Sequence, residues 1–344
     1  MSKHFRIALL PGDGIGPEVV AEAVKVLRAI APDALEFTEF SVGANEYLRS
    51  GDPLPETTFQ SLKKYDAILL GAMGLPDVRW PDGTEMTPQI DLREKLDLFC
   101  GLRPIRLYHE SHSPLKGRSA GEIDFLIIRE NTEGLFFSRL QTPEPNANDV
   151  RDTMRISRDR SERLFHAAFV QARKRRKHVT LVDKANVLPS MAFFRRIFDE
   201  VAEKYPDVQT ARVYVDAVSL YLVQRPQTFD VLVTENMFGD ILSDLAAGLV
   251  GGMGMAPSAD IGEKYAVFQP SHGTAPDIAG QGIANPLATI LSAAMMLEWL
   301  GLTTEAAAIH AAAEKVLSAG HRTADLGGNV RTSEMGNLVS VALV

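Results

Sequence analysis

The segment from Val231 to Leu249 reads VLVTENMFGDILSDLAAGL and decides the fold class of the chain. Residues 231–233 form a short apolar run, which is typical of a buried strand. From Phe238 onward the apolar residues recur at helical spacing. A strand that leads into a helix is the repeating unit of α/β proteins. The segment therefore predicts an α/β protein.

The same alternation of short apolar runs and helical patterns extends along the rest of the chain. Strands are expected at residues 5–10, 67–70, 102–105, 125–129, 179–182, 211–215 and 231–233. Helices are expected at residues 17–30, 91–98, 160–173, 190–204, 238–249, 287–300 and 304–318. This order predicts a largely parallel or mixed sheet and a helical C-terminal quarter. The polar, proline-containing stretch 141–149 is expected to form a projecting loop or arm.

Composition narrows the functional classes. At 344 residues the chain is long enough for two domains, or for one large domain with a shared sheet. The net charge of -8 argues against a general surface for nucleic acid or anionic membranes. The single cysteine, Cys100, excludes an intrachain disulfide and a cysteine-based zinc site. No signal segment or membrane-spanning stretch is recognisable, so a cytoplasmic protein is expected.

Asp240 and Asp244 lie four residues apart in the predicted helix, and Asp216 precedes them by about one strand and one helix. Positions i and i+4 share a helix face, so both carboxylates are expected to point into one pocket. Carboxylate ligands suit a hard cation such as Mg²⁺ or Mn²⁺. The alternative is a solvated acidic face near a helix N-terminus, where aspartate is favourable in any case.

Four basic side chains are candidates for the site: three arginines that can bind an anionic substrate and a lysine that can act as a base. Arg93 lies on a predicted helix, Arg103 near a strand start and Arg129 at a strand end, while Lys184 follows the strand 179–182. Ligands bind at strand ends of open α/β sheets, and a guanidinium can grip a carboxylate in two places. A lysine beside a metal has a lowered pKa and can serve as a base. Each residue can also be an ordinary surface charge.

Two glycine-rich stretches are candidates for nucleotide contacts. Residues 12–17, GDGIGP, follow the first strand, but their spacing is not the dinucleotide fingerprint, and a tight turn explains them equally well. Residues 272–277, HGTAPD, together with 280–286, form a loop whose backbone N–H groups can approach phosphates. Asp277 in that loop can accept hydrogen bonds from ribose hydroxyls and would repel a 2′-phosphate.

Together these segments resemble the β-decarboxylating dehydrogenases, which include the 3-isopropylmalate, isocitrate, homoisocitrate, tartrate and D-malate enzymes. The resemblance is closest to the 3-isopropylmalate and tartrate/D-malate dehydrogenases. It runs nearly from end to end, in the order of that family. The matching segments are residues 12–17, 92–93, 102–104, 129–131, 182–188, 238–244, 272–285 and 325–328.

The resemblance implies an isopropylmalate dehydrogenase-like two-domain fold with a mixed sheet, and not a Rossmann fold. Residues 1–99 and 252–344 would form the nucleotide-binding domain. Residues 100–251 would form the domain for dimerisation, substrate and metal, with an arm near residues 135–157. The protein would be a homodimer whose active sites are shared across the interface.

The resemblance also implies a role for each candidate residue in NAD-dependent oxidative decarboxylation of a malate-type 2-hydroxy acid. Arg93, Arg103 and Arg129 would clamp the substrate carboxylates. Asp216, Asp240 and Asp244 would hold Mg²⁺ or Mn²⁺, and Lys184 would help to remove the hydroxyl proton, with Asp216 and Lys184 coming from the partner. The residues implied for NAD binding are His272, Gly273, Thr274, Ala275, Asp277 and Asn285.

Three residues depart from the family pattern. Phe136 stands where most members have a tyrosine, and Gln269 stands where an acidic residue usually precedes the nucleotide loop. Gln89 stands where isopropylmalate enzymes tend to have an apolar residue, which favours a substrate with a small or polar side group. Phe136 has no proton to give, so it leaves two alternatives open. They are a catalytically weak or regulatory paralogue, and an enzyme that oxidises its substrate without efficient decarboxylation.

Overall fold

The computed structural model of the protein describes residues 4–141 and 146–343. Its centre is a ten-stranded mixed sheet with helices against both faces. The strands are β1 (Phe5–Gly12), β2 (Leu35–Glu39), β3 (Ala67–Ala72), β4 (Cys100–Arg106), β5 (Asp124–Glu130), β6 (His178–Asp183), β7 (Gln209–Tyr214), β8 (Val231–Thr234), β9 (Pro257–Ile261) and β10 (Ala266–Pro270).

Helices follow most of these strands, as the alternating pattern predicts. They are α1 (Gly16–Ile30), α2 (Ala44–Ser50), α3 (Glu56–Leu62), α4 (Pro88–Lys95), α5 (Arg158–Arg173), α6 (Pro189–Ala202), α7 (Val215–Gln224), α8 (Asn236–Gly248), α9 (Leu287–Trp299), α10 (Thr303–Ser318) and α11 (Thr332–Ala342). Within the described residues, no helix is long and apolar enough to cross a membrane.

The strand order is β2-β1-β3-β10-β9-β4-β5-β8-β6-β7. The two outer groups pair in parallel, whereas β9 pairs antiparallel with β10 and β4, and β4 pairs antiparallel with β5. The predicted mixed sheet is therefore confirmed. Residues 100–251 supply five neighbouring strands of the sheet, which are β4, β5, β8, β6 and β7 in sheet order. The two ends of the chain supply the other five. The division into two domains stays a prediction.

The pairing of the central strands positions several polar side chains. Gly101 on β4 lies opposite Arg129 on β5 and Asp260 on β9, so these three residues share one row across the sheet. A side chain on Gly101 would meet the Asn131 amide at 2.7 Å. The glycine thus leaves room for polar groups between two charged residues.

The seven predicted strands are confirmed within two residues at their ends, and the predicted helices within three. Arg103 lies in the middle of β4 rather than near its start. The prediction of a helical C-terminal quarter is wrong for residues 257–270, which form β9 and β10. These strands read PSADI and AVFQP, and their proline, serine and aspartate are poor strand formers. They are strands because each pairs with strands that are distant in sequence.

The arm near residues 135–157 stays a prediction, and the structure shows how the segments at its two ends are paired. Gly134 pairs with Arg155, and the Ser138 hydroxyl oxygen accepts a hydrogen bond from the Thr153 amide at 2.8 Å. The segments on either side of the arm therefore run next to each other. Residues 142–145, which include part of the predicted loop 141–149, lie outside the described residues.

Candidate active site

A cavity of about 230 Å³ opens between the ends of β3 and β10, helices α4 and α8, and the strands β4 and β5. The predicted residues that line it are Gln89, Arg93, Arg103, Arg129, Asp240, Asp244, His272 and Gly273. Phe136, Ser258 and Gln269 complete the polar and aromatic part of the wall. The structure thus brings most of the predicted substrate and metal residues to one place.

Three arginines of this cavity are buried. Arg93, Arg103 and Arg129 are exposed by only 8%, 4% and 3%. They come from three different elements, α4, β4 and β5. Burying a cation is costly unless an anion or several hydrogen-bond acceptors lie beside it. Three buried cations in one wall therefore make a site for a ligand with more than one negative charge.

Asp260 is a fully buried carboxylate that pairs with two of these arginines, and the sequence pattern does not predict it as a site residue. Its carboxylate lies 2.9 Å from Arg93 Nε and 3.2 Å from Arg103 Nη2. It also accepts hydrogen bonds from Asn131 at 2.9 Å and from Gln269 at 2.6 Å. Burial opposes its ionisation, but Arg93 and Arg103 outweigh burial and hold its pKa well below the usual range. The only available signal was one acidic residue in an otherwise small and apolar stretch.

Arg129 has a different set of partners. Its Nε and Nη2 donate to the side-chain oxygen of Asn236 at 3.0 and 2.7 Å, and its Nη1 forms an ion pair with Asp240. The ring of Phe136 lies 5.2 Å from the guanidinium carbon. Burial, with Arg93 nearby, lowers the pKa of Arg129 to about 10. The guanidinium remains charged at neutral pH and is held in one orientation.

The two aspartates of the predicted metal pair lie on α8. Glu235 caps this helix by accepting the Phe238 amide at 2.6 Å and the Met237 amide at 3.1 Å. Asp240 and Asp244 both face the cavity. Burial and then the neighbouring Asp240 raise the pKa of Asp244. Two carboxylates that repel in a partly buried wall suit a hard cation. Within the described part of the chain, no third metal-binding side chain joins them.

Of the predicted catalytic and metal-binding residues, the structure does not bring Lys184 and Asp216 to the cavity. Lys184 follows β6, and Asp216 lies in the first turn of α7. The Lys184 Nζ lies 2.5 Å from Asp216 Oδ1, and this hydrogen bond is the main reason for the lowered pKa of Asp216. The Asp216 side chain is exposed by 66%. The pair forms a second charged group on the surface of the same chain.

The predicted nucleotide loop begins beside the cavity. His272 Nδ1 lies 2.9 Å from the Gly273 carbonyl oxygen, and burial lowers the pKa of the imidazole. Its Nε2 is buried and has no hydrogen-bond partner among the described residues. The Asn285 side chain donates to Asp325 at 3.1 Å and accepts the Leu287 amide at 3.0 Å. Asp277, in contrast, is exposed.

The glycine-rich turn 12–17 supports this loop. The Ile15 amide donates to the carbonyl of Thr274 at 2.9 Å. A Cβ atom on Gly14 would lie 2.1 Å from that same carbonyl oxygen, so no side chain fits there. Glu18 on α1 accepts the amides of Gly280 at 2.5 Å and Gly282 at 3.1 Å. The turn therefore supports the predicted nucleotide loop, and the close approach to Thr274 explains the glycine at position 14.

Gln89 lines the cavity from the first turn of α4. Its Oε1 is buried and has no hydrogen-bond partner among the described residues. A second, more open cavity of about 950 Å³ adjoins the first and shares Ile90 and Phe136 with it. Trp80, Thr84, Glu85 and Arg139 are among its lining residues. A ligand in the first cavity can thus extend a side group toward a second space whose wall also includes the apolar side chains of Phe136 and Leu140.

The sequence model of the isocitrate/isopropylmalate dehydrogenase family matches residues 6–339. The chain belongs to this family. A 3-isopropylmalate dehydrogenase from Zymomonas mobilis is 45% identical over 98% of this chain and 100% of the relative. A 3-isopropylmalate dehydrogenase from Moorella thermoacetica is 46% identical over 97% of this chain and 98% of the relative.

Solved structures agree with this assignment. The isocitrate dehydrogenase from Methylococcus capsulatus superposes with a TM-score of 0.91 and is 37% identical, covering 98% of this chain and 99% of that one. A β-decarboxylating dehydrogenase from Thermococcus kodakarensis, in its apo form, gives a TM-score of 0.85 at 37% identity and covers 98% and 96% of the two chains. The predicted family and its non-Rossmann fold are confirmed.

Proposed function

We propose that the protein catalyses the NAD- and divalent-metal-dependent oxidative decarboxylation of a malate-type 2-hydroxy acid. One observation carries this proposal: three buried arginines and two helix-borne carboxylates line the same cavity. Arginines grip carboxylates through paired N–H donors, and carboxylates hold a hard cation. A hydroxy acid with two carboxylates needs both kinds of group. Membership of the family supports the reaction class.

Asp240 and Asp244 would hold Mg²⁺ or Mn²⁺ together with Asp216 of the partner subunit. Two carboxylates fit such an ion because it takes its remaining ligands from water and substrate. The ion would polarise the substrate hydroxyl and stabilise the negative charge that develops on its oxygen. Arg129, which pairs with Asp240 in the structure, would remain beside the ion and bind a substrate carboxylate.

A homodimer would complete the active site. Exposed apolar side chains lie within a few residues of Lys184 and on the helices that carry Asp216 and Asp240: Val187, Leu220, Val223 and Ile241. Exposed apolar side chains that form a contiguous patch mark an interaction surface. We propose that a second copy covers this surface and inserts its own Lys184 and Asp216 into the cavity. The division at residues 99/100 and 251/252 would then separate a nucleotide-binding domain from a dimerisation domain.

The loop from His272 to Asn285 would bind NAD. Gly273 leaves backbone groups accessible next to the cavity, and the unpaired Nε2 of His272 can bond to a bound ligand. Asp277 is exposed at the place where ribose hydroxyls would bind, and its charge disfavours the 2′-phosphate of NADP. The nicotinamide ring would accept the hydride from the substrate carbon.

The protein's own side chains would bind the substrate and transfer its protons. The arginines fix the carboxylates, and Lys184 of the partner subunit would take the hydroxyl proton. Phe136 lies against Arg129 and cannot donate a proton to carbon after CO₂ leaves. The absence of a hydroxyl at this position favours a second candidate function. In it, the enzyme oxidises its substrate faster than it completes decarboxylation.

The proposed reaction class allows substrates with different side groups, and two observations bear on which group the site accepts. The relatives are named 3-isopropylmalate dehydrogenases, which favours a branched alkyl group. The buried and unpaired Oε1 of Gln89 favours a small or polar group instead. We propose a small or polar group, as in D-malate or a tartrate, because an alkyl group would leave this amide oxygen without a partner.

A screen for NADH formation tests the proposed function. The purified protein is incubated with NAD⁺ and Mn²⁺, and each candidate acid is added in turn: D-malate, the tartrates, 3-isopropylmalate and isocitrate. We expect metal-dependent NADH formation that is abolished by a chelator. Absence of activity with every malate-type acid would contradict the proposal. A strong preference for 3-isopropylmalate would contradict only the assignment of Gln89.

A further inference from the structure

Asp260 lies behind the wall of the cavity and not in it. Its side chain is exposed by only 1%, and it reaches the cavity only through Arg93, Arg103 and Gln269, which line that wall. It therefore cannot touch the substrate. Its negative charge can offset part of the positive charge that Arg93 and Arg103 present to a substrate.

The fixed charges of the site add up to a small positive number. Arg93, Arg103 and Arg129 contribute three positive charges, and Asp260 removes one. In the proposed function, the metal ion balances Asp240 and Asp244, and Lys184 balances Asp216 while Lys184 holds a proton, as it would beside a ligand that has no hydroxyl to deprotonate. Two positive charges remain, which neutralise the two negative charges of a malate-type dicarboxylate. Gln269 is an uncharged amide, so it leaves this sum unchanged.

We propose that Asp260 is a positioning residue that matches the site to doubly charged substrates and disfavours triply charged ones. This inference rests on the proposed function and names the substrate class of that site. A third substrate carboxylate would lack a cation of its own, because Asp260 already occupies Arg93 Nε and Arg103 Nη2. Each guanidinium has five N–H donors, so both arginines still have donors for a dicarboxylate.

The charge of Asp260 is permanent under working conditions. Arg93 and Arg103 overcome the effect of burial and hold its pKa far below neutrality. Asn131 and Gln269 donate two further hydrogen bonds to it. Asp260 therefore takes up no proton at ordinary pH, and its charge is the same whichever substrate is bound.

Two ligands of equal shape test the inference without turnover. Propane-1,2,3-tricarboxylate and its terminal monoamide, carbamoylmethylsuccinate, share a succinate backbone and differ in a branch that ends in either a carboxylate or an uncharged carboxamide of the same shape. Both branches are polar, so the Gln89 amide, which can donate or accept, has a partner with either ligand. Their dissociation constants are measured by calorimetry in the presence of Mg²⁺ and NADH, at about pH 8, where all ligand carboxylates are ionised. We expect the wild-type protein to bind the dianion more tightly. A wild-type protein that binds the trianion more tightly would overturn the inference.

Three variants complete the test. Asp260→Asn keeps the shape of the side chain and removes its charge, so the affinity ratio should move toward the trianion by about tenfold, equivalent to about 1.4 kcal/mol. Asp260→Asn combined with Gln269→Glu restores a carboxylate at the neighbouring position. This double variant should bring the affinity ratio most of the way back to the wild-type value. Asp230→Asn is the control, because Asp230 is a buried carboxylate that pairs with Arg175 away from the cavity.

A purely structural Asp260 would weaken the binding of both ligands equally in Asp260→Asn, and that result would overturn the inference. An affinity ratio that moves as much in Asp230→Asn as in Asp260→Asn would also overturn the inference. Failure of the proposed function is recognisable separately, because it would appear as absent NADH formation with every acid. The wild-type affinity ratio remains measurable even if Asp260→Asn does not fold.

Discussion

Lys184 Nζ lies 2.5 Å from Asp216 Oδ1, and both residues lie outside the cavity that Arg93, Arg103, Arg129, Asp240 and Asp244 line. One chain therefore carries two separate groups of charged residues. The first can bind a dicarboxylate and a cation, and the second offers a base and a further carboxylate. The proposed dimer unites them by placing the second group of one copy in the cavity of the other.

Removing one charge from the metal pair should weaken cation binding. Asp244→Asn keeps the size of the side chain but gives up the charge that a hard ion requires. We expect the Mn²⁺ concentration for half-maximal activity to rise by at least about 100-fold, by comparison with losses seen when even outer-shell partners are changed. Asp199→Asn is the matched control, since Asp199 pairs with Arg212 on the surface. If the Mn²⁺ concentration for half-maximal activity is unchanged in Asp244→Asn, Asp244 is not a ligand of the metal ion.

Phe136→Tyr should accelerate the later part of the reaction. The new hydroxyl would supply a proton beside Arg129, and loss of a general acid typically costs about 10²–10⁴-fold in the step it serves. NADH formation and formation of the final, protonated keto acid are followed separately in one reaction. We expect formation of the final keto acid to speed up more than NADH formation. Phe137→Tyr is the control, because Phe137 is the next residue and is exposed. Equal rates in wild type and Phe136→Tyr would mean that another group supplies the proton.

Asp260→Asn should destabilise the protein in a pH-dependent manner. Breaking a buried ion pair by removing one partner costs about 3–5 kcal/mol because the other charge stays buried. The pKa of Asp260 is lowered by folding, so its contribution is present above the unfolded pKa of about 3.9 and is lost as pH falls toward the folded pKa. Urea unfolding of both proteins is measured from neutral pH downward. A difference in the free energy of unfolding that grows as the pH falls below about 4 would contradict this account.

NAD⁺ should be preferred over NADP⁺, and Asp277 should be the cause. Asp277→Asn removes an exposed negative charge from the nucleotide loop. We expect the ratio of kcat/KM with NADP⁺ to that with NAD⁺ to rise by about tenfold, which corresponds to about 1.4 kcal/mol. The activity with NAD⁺ serves as the internal reference. A wild-type protein that uses both nucleotides equally would show that the loop is wrongly assigned.

Residues whose position follows from a local pattern are predictable from the sequence. Helical spacing predicts that Asp240 and Asp244 share a face, and the structure confirms this and the position of Arg129 at a strand end. Asp260 was missed because its importance depends on a cross-strand row with Gly101 and Arg129. Its strand, PSADI, has no strand-like alternation, and only pairing with β4 and β10 makes it a strand.

The arrangement of Lys184 and Asp216 shows a second limit of sequence reasoning. Residue order predicts that each follows a strand, and the structure places them beside each other. Neither the spacing nor one chain alone brings them to the cavity. Their proposed role depends on a partner, and for that reason the dimer is the part of the account that most needs a direct test.

Subunit exchange tests the central claim, which is a dehydrogenase site shared between two chains. Lys184→Ala and Asp240→Asn proteins are prepared separately, shown to be nearly inactive, then mixed under conditions of subunit exchange and assayed for NADH formation. A mixed dimer would carry one doubly damaged site and one intact site. Random pairing of equal amounts makes about half the dimers mixed, so activity should return to about a quarter of the wild-type value. If the mixed dimers form and activity does not return, Lys184 and Asp240 do not act across the interface.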